Sequence, residues 1–422
     1  MQHRRSVSGL VDHLFRHQAG QMISSLTRHF GVDHLELVED IVQETLLKAL
    51  QQWPYRGIPE YPEGWLWQVA KNYALDVLRR EARMQKKLAG SQGLLEPEQL
   101  PAYAEREAFD HPLGDDQLNM MFIGCHPSLS RDAQVTLLLK TVGGFNIAEV
   151  ARAFLLPEAT IAQRLVRAKN KLRAEGVQFE LPPTTELAQR LDMVLEVLYL
   201  IFNEGYDAHL GDALVRKDLC DEAIHLCRLI AGHPVGKNPR VHALLSLMLL
   251  QASRLNARTN PDGELIVLQE QDRALWDQHM IQEGLYHLGL SAQGDALTEY
   301  HLQAGIAAKH AVAKDYESTD WAGILDDYEG LLEMAPSPVV MLNHAVALAM
   351  VRGTEAGLHE LARLKDHPSL QKYHWLYATM GELYGRNGEA EAARRSYHEA
   401  LRLTTNKVEQ RFLEKKLKKL GK

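Results

Sequence analysis

Residues 157–173, Pro157-Glu158-Ala159-Thr160-Ile161-Ala162-Gln163-Arg164-Leu165-Val166-Arg167-Ala168-Lys169-Asn170-Lys171-Leu172-Arg173, carry two unlike faces of one helix. Ile161, Leu165, Ala168 and Leu172 recur at steps of four, three and four, the apolar stripe of a helix that faces a core. Thr160, Arg164, Arg167 and Lys171 repeat those steps on another face, with Gln163 beside them. No acid follows Glu158 in the stretch, although the whole chain has a formal charge of -8. A basic, donor-rich face on an acidic protein points to a local nucleic-acid contact.

The residues before it supply a partner helix. Asn146-Ile147-Ala148-Glu149 fits a capping box, with Asn146 as N-cap and Glu149 three residues on. The helix it opens runs through Phe154 and carries Ile147, Val150, Ala151 and Phe154 inward. Leu155-Leu156-Pro157 ends it, and proline suits the first turn of the next helix. Two short helices joined by a tight turn, the second with a basic outer face, form a helix-turn-helix. Arginine and lysine can bond phosphates or the guanine edge, and glutamine can bond adenine. The same pattern also suits a solvated helix in an ordinary bundle.

Length and composition set the frame. A chain of 422 residues exceeds one small core, and two or three domains are expected. Hydrophobic content of 45% and charged content of 24% suit a soluble globular protein. Three cysteines without framework spacing argue against a secreted disulfide scaffold and for a reducing cytoplasm. Met1-Gln2-His3-Arg4-Arg5 is followed by no apolar core, so no signal peptide is expected. No apolar run reaches about 18 residues, so no membrane span is expected. Net negative charge excludes a uniformly basic coat.

Helical periodicity appears almost everywhere and β alternation almost nowhere, which predicts an all-α fold. The expected organisation is a helical unit at 8–88, an acidic Pro/Gly-rich linker at 89–116 with a short helix at Tyr103–Ala108, and the helix-turn-helix unit at 117–178. Leu181-Pro182-Pro183 breaks the chain, and a long helical region fills 184–422.

In the first unit, residues 36–50 are amphipathic: Val38, Val42, Leu46 and Ala49 face a core, and Glu36, Asp40, Gln43 and Glu44 form an exposed acidic and amide strip. Residues 63–80 repeat the design, with Leu66, Val69, Tyr73 and Val77 inward and Gln68, Asn72, Asp76, Arg79 and Arg83 outward. At these residues a resemblance becomes specific. Asp40-x-Val42-Gln43-Glu44-Thr45, followed by Trp65-Leu66-x-x-x-Ala70-x-Asn72-x-x-x-Asp76-x-x-Arg79-Arg80, resembles region 2 of bacterial RNA polymerase sigma factors of the extracytoplasmic-function type, in the sigma-70 family and sigma-24-like. The helix-turn-helix is similar to their region 4, and the two motifs stand in the expected order.

The resemblance implies a function, partners and residues. The chain would bind core RNA polymerase, through the β′ clamp helices and the β flap, and direct promoter-specific initiation. Asp40, Gln43 and Glu44 match the helix that docks on the clamp helices, where charge-assisted bonds provide orientation. Asn72, Asp76, Arg79 and Arg80 match the helix that meets the −10 element. Trp53-Pro54-Tyr55-Arg56-Gly57 through Pro62 matches the loop that captures a flipped base; core packing is the competing reading for its aromatics, and the favoured one for Trp65 and Trp67. Thr160, Gln163, Arg164, Arg167 and Lys171 match the −35 reading helix. Chemistry stays with the polymerase, so no enzyme activity, catalytic residue, cofactor or metal is expected. A helix-turn-helix regulator with a peptide- or protein-sensing array is the alternative, and it has no need for the region 2 helices. A pure interaction scaffold with an incidental basic helix is a third reading.

Sigma factors of this type normally end soon after region 4. Here Tyr377, Gly381, Tyr384, Ala393, Tyr397 and Ala400 fall at the small and aromatic positions of a 34-residue tetratricopeptide unit, with Thr405 where a closing proline is usual. Trp321, Ile324, Tyr328, Leu331 and Pro336 resemble the second half of another unit. The whole chain resembles the sigma-factor group with a tetratricopeptide-like extension, and Tyr199-Leu200-Ile201-Phe202-Asn203-Glu204-Gly205-Tyr206 looks like that group's characteristic segment. This resemblance implies control in cis, through contact of the extension with the sigma domains, with a concave face that could also bind a peptide or protein. Cys220, Ile224 and Cys227 share one helical face and read as core rather than metal ligands. Cys125-His126-Pro127 lacks the surroundings of a nucleophile site. The basic tail, 407–422, reads as a capping helix with a solvated lysine face.

Overall fold

The computed structural model describes residues 15, 18–88, 113–154, 156–206, 216–260, 264–294, 296–368 and 370–420, and the side chains of 78, 81–88, 113 and 114 are not among those described. Within them the fold is all-α, relieved by single 3-10 turns and one isolated bridge between Thr259 and Leu265. The expected start at Ser8, the short helix at Tyr103–Ala108 and the outward Arg83 lie outside the described residues.

The chain divides into two compact units, residues 1–198 and 199–422. In the first, α1 (18–30), α2 (Leu35–Arg56) and α3 (Pro62–Leu88) form one bundle. Val38, Val42 and Ala49 of α2 and Leu66 and Val69 of α3 are buried, as their spacing predicts, while Leu46, Tyr73 and Val77 are half-buried. Gly57 ends α2 at a φ of 81°, a turn that only glycine makes without strain.

The second bundle comprises α4 (Leu113–Gly124), α5 (Arg131–Thr141), α6 (Ile147–Phe154) and α7 (Glu158–Ala174). The start of α4 at Leu113 lies inside the segment expected to be linker, because Leu118, Met121 and Phe122 are core residues and the helix must begin a turn before them. The capping box forms: the Asn146 amide donates to Glu149 Oε2 at 2.8 Å, and the Glu149 amide donates to Asn146 Oδ1 at 2.9 Å. Ile161, Leu165, Ala168 and Leu172 of α7 are all buried, packed against α5 and α6. In α6, Val150, Ala151 and Ala153 are buried, whereas Ile147 and Phe154 are half-buried.

The division between units falls within α8 (Thr184–Tyr206), after Leu198, rather than at the proline break. Arg190 of α8 donates to the Phe122 carbonyl at 3.0 Å and Glu196 pairs with Arg131, so the start of this helix belongs to the first unit. The second unit adds α9 (Lys217–Gly232), α10 (Pro239–Ala252), α11 (Gln278–Ser291), α12 (Glu299–Val312), α13 (Trp321–Met334), α14 (Pro338–Arg352), α15 (Thr354–Leu364), α16 (His374–Arg386), α17 (Ala390–Leu403) and α18 (Lys407–Lys419). Successive helices pack on one another, α12 on α13, α14 on α15 and α16 on α17. Gly381 shows why a small residue stands in α16: a Cβ there would lie 2.9 Å from the Tyr397 ring. Tyr397, Ala393 and Ala400 are buried on the facing side of α17.

The lysine face of α18 is not simply solvated. Lys416 bonds Glu382 at 3.0 Å, Lys415 bonds Glu264 at 3.1 Å, and Lys419 lies 3.7 Å from Glu270. The acids that receive them come from other segments, so the basic tail alone could not reveal them.

Candidate nucleic-acid interface

The outward strips expected to meet polymerase and DNA are solvent-facing. Asp40, Gln43 and Glu44 are exposed along α2. On α3, Asn72, Asp76, Arg79 and Arg80 are exposed; the Gln68 amide donates to Asn72 Oδ1 at 3.2 Å and Arg79 lies 3.7 Å from Asp76. Such open contacts hold side chains loosely and leave them free to exchange partners.

The aromatic loop divides into two parts. Trp53 lies in the last turn of α2 and is buried, its ring 5.3 Å from Phe15 and 5.7 Å from Trp65, so it is a core residue and not part of a base-receiving loop. Tyr55 and Tyr61, by contrast, are 90% and 75% exposed beside Ile58. Exposed aromatic rings flanking a short loop offer faces on which an unstacked base can rest.

On α7, Thr160, Gln163 and Arg167 are exposed, and Lys171 is exposed while paired with Glu175 at 2.8 Å. Arg164 is held differently. Its guanidinium bonds Asp132 at 3.0 Å and the Thr136 hydroxyl at 3.3 Å, tying α7 to the start of α5.

Lys169 and Glu39 were missed by the surface reading, and they join the two bundles. Lys169 Nζ meets Glu39 Oε2 at 2.9 Å, with both side chains largely removed from solvent. Around this pair, Arg173 donates to the Asp33 carbonyl at 2.7 Å and Arg28 meets the buried Asp116 at 3.3 Å. Gly20 lies so close to Val142 that a Cβ would sit 1.8 Å from its carbonyl oxygen. A signal for the pair existed: Lys169 follows Leu165 by four and precedes Leu172 by three, and Glu39 stands likewise between Leu35 and Val42. Each charge occupies a core position of its own helix.

Residues 14–84 match the family described as Sigma-70 region 2, and residues 120–172 match Sigma-70, region 4. The ECF RNA polymerase sigma factor SigL of Mycobacterium tuberculosis is 31% identical over 136 residues, 32% of this chain and 72% of that protein. The chain belongs to the sigma-70 family of sigma factors. Its work is promoter-specific transcription, with core RNA polymerase and promoter DNA as partners. Residues 190–292 match a family of unknown function, DUF6596. The uncharacterized protein R00370 of Rhizobium meliloti is 36% identical over 421 residues, 98% of this chain and 96% of its own length. The similarity to that protein thus runs through the sigma regions and the long helical unit of this chain alike.

Outside the sigma regions, the segment Tyr199–Tyr206 is built into the second unit. Ile201 and Phe202 are fully buried, and Phe202 stacks on Tyr206 at 5.6 Å. A Cβ at Gly205 would sit 2.8 Å from the Arg216 carbonyl oxygen, so the next stretch of chain passes directly over it. Cys220, Ile224 and Cys227 form the expected core stripe. All three cysteines of the chain are buried; burial pushes the Cys125 and Cys220 thiols up to about 12 and the Cys227 thiol higher still. His126 Nδ1 bonds the Ser128 hydroxyl at 2.8 Å. Among the described residues no helix is long and apolar enough to cross a membrane.

Proposed function

We propose that this sigma factor is of the extracytoplasmic-function type, acts in the cytoplasm, and carries a tetratricopeptide-like extension that regulates it in cis. Asp40, Gln43 and Glu44 bind the β′ clamp helices; Asn72, Asp76, Arg79 and Arg80 meet the −10 element; Thr160, Gln163, Arg167 and Lys171 meet the −35 element, joined by Arg164 once it leaves Asp132. The region 4 bundle would rest on the β flap. The observation that carries this reading is the exposure of an acidic strip on α2, a mixed polar strip on α3 and a basic strip on α7 in one chain. A DNA-binding regulator needs α6 and α7 but gives no reason for the strips of α2 and α3.

The small-against-aromatic contact of Gly381 with Tyr397, and the packed pairs α14–α15 and α16–α17, support the tetratricopeptide-like reading. In vitro transcription with purified core polymerase, on promoters upstream of this protein's own gene, tests the function. Defined transcripts that depend on the added chain are expected. Failure both to bind core and to start any transcript would sink the reading.

A further inference from the structure

The second unit encloses a cavity of about 940 Å³, and part of its wall comes from outside the regular α-helices. Val267, Leu268 and Gln269 enter that wall from the connection between α10 and α11. This connection, 253–277, is far longer than those later in the array, 335–337 between α13 and α14 and 387–389 between α16 and α17. Connections of such length inside a compact domain are uncommon and are usually functional.

Its two ends are fastened to the first helices of the unit. At one end the Arg258 guanidinium lies 4.1 Å over the Tyr206 ring and bonds the Tyr206 carbonyl, and the Ile266 amide donates to the Arg258 carbonyl at 2.8 Å. At the other end Trp276 is buried in one cluster with Leu250 of α10 and Ala308 of α12, and the Asp277 amide donates to the Ser253 carbonyl at 2.9 Å. Arg273 stacks over Trp276 at 4.5 Å and donates to the His310 and Ala313 carbonyls at 2.5 and 2.8 Å. Leu268 packs on the same cluster. Buried apolar surface and backbone bonds of this kind are little screened by salt.

The span between these anchors, 264–271, reaches helices at the far end of the array, and there its bonds are ionic or polar. Glu264 meets Lys415 at 3.1 Å, Gln269 Oε1 accepts from Arg386 at 2.7 Å, and Glu270 lies 3.7 Å from both Lys416 and Lys419. Arg411 adds its charge to the field on Glu264. Glu382 is the acid on the receiving side. It takes Lys416 at 3.0 Å and Arg386 at 3.4 Å, and so holds both cations where the span meets them. The apolar cluster that joins α16, α17 and α18 contains no side chain from the span. Lys415 and Lys419 are 60% and 61% exposed, so their pairs are weak and are screened within about 3 Å at 1 M salt.

One side of the span thus resists salt and the other does not. Arg386 and Lys416 themselves line the cavity, so its wall closes where the span meets them. We propose that 264–271 is a strap: it shuts this side of the cavity through its ion pairs with α16 and α18, and it swings free on its anchors when those pairs are lost. Release is read on the chain without polymerase, so its failure and failure of transcription are separate results.

The test is hydrogen exchange on the full chain at low salt and in about 1 M sodium chloride. Exchange in 264–271 is expected to quicken about fivefold with salt, while 244–250 of α10 and 281–288 of α11 stay unchanged. Glu264→Gln with Glu270→Gln should exchange fast at both salt concentrations, and Lys415→Gln with Lys419→Gln should do the same from the opposite side. A second readout places a thiol in the cavity wall by Thr379→Cys, since the three native cysteines are buried. A bulky uncharged maleimide should react with it several times faster under each condition that frees the strap. Exchange in 264–271 that ignores salt and both double variants overturns the proposal. So does an equal change in α10 and α11, which would mean general loosening, or a Thr379→Cys rate that does not follow the strap.

Discussion

Glu39 of α2 and Lys169 of α7 meet at 2.9 Å with side chains only 14% and 8% exposed, binding the region 2 bundle to the region 4 bundle. Promoter elements at −10 and −35 lie about 25 base pairs apart, about 85 Å of duplex at 3.4 Å per pair. Bundles joined by direct side-chain contact cannot reach both elements, so the proposed readout of −10 by α3 and −35 by α7 requires this pair to part on the polymerase. The pair is only half satisfied, since Glu39 Oε1 is buried without a partner. Removing one member of a buried pair costs up to about 3–5 kcal/mol, whereas an apolar pair of similar volume can be neutral. Glu39→Gln and Lys169→Met should each speed hydrogen exchange in 32–39 and 165–173 and raise apparent affinity for core polymerase, because a larger open fraction is competent. The double change Glu39→Leu with Lys169→Met should restore slow exchange and lower core affinity again. Unaltered exchange in the single variants would show that the contact holds nothing.

Arg164 and Arg167 share a helix face but differ in attachment. Arg164→Ala removes bonds to Asp132 and Thr136 and should lower the melting temperature of the chain as well as promoter affinity. Arg167→Ala should leave melting unchanged and weaken −35 binding by about 1–3 kcal/mol if it contacts a base. Paired calorimetry and promoter-binding titrations separate the two. Equal melting temperatures for both variants would mean the Asp132 contact carries no stability.

Two glycines of α16 give a packing test. Gly381→Ala would drive a methyl into the Tyr397 ring, and overpacking of this kind costs about 1–3 kcal/mol. Gly385→Ala meets Leu420 at 3.9 Å, ordinary contact, and should be neutral or stabilising by up to about 1 kcal/mol from helix propensity. Thermal melts of the two variants should therefore move in different directions or by clearly different amounts.

Acid should loosen the second unit through its histidines. Burial lowers His310 to about 3, and burial also lowers His242 and His287, whose rings stack at 5.1 Å. The folded state then refuses protons that the unfolded chain accepts below about pH 6.5. Stability is full above that pH and falls as the solution is acidified. His310 alone should contribute a loss of about 1.4 kcal/mol by pH 5.5. Melting curves of the chain and of His310→Gln at pH 7.5 and 5.5 check this; the variant should show the shallower pH dependence.

Removal of the extension should change transcription without abolishing core binding. The cut belongs after Leu198 rather than near Pro182, since Arg190 and Glu196 of α8 bond Phe122 and Arg131 in the first unit. Output identical to that of the full chain would remove the regulatory role.

The helices were legible because their stripes are local. Ile161 to Leu172 and Val38 to Ala49 need only the 3.6-residue period, and the Asn146–Glu149 box needs only four residues. The pairings were not, because each depends on a distant partner. Nothing beside Lys416 announces Glu382, and nothing beside Arg164 announces Asp132. Trp53 was ambiguous for a different reason: a tryptophan next to a proline and a glycine suits a loop and a helix end equally, and burial against Phe15 and Trp65 decides it. Glu39 and Lys169 were readable in principle, as charges on core stripes, but only when both helices are considered together.

Because Cys125, Cys220 and Cys227 are the chain's three cysteines and all are sealed in helical cores, none offers a thiolate to an oxidant. Peroxide or disulfide stress would therefore find no accessible cysteine in the folded chain. A redox signal acting directly on this chain would have to open a helical core before it met a thiol.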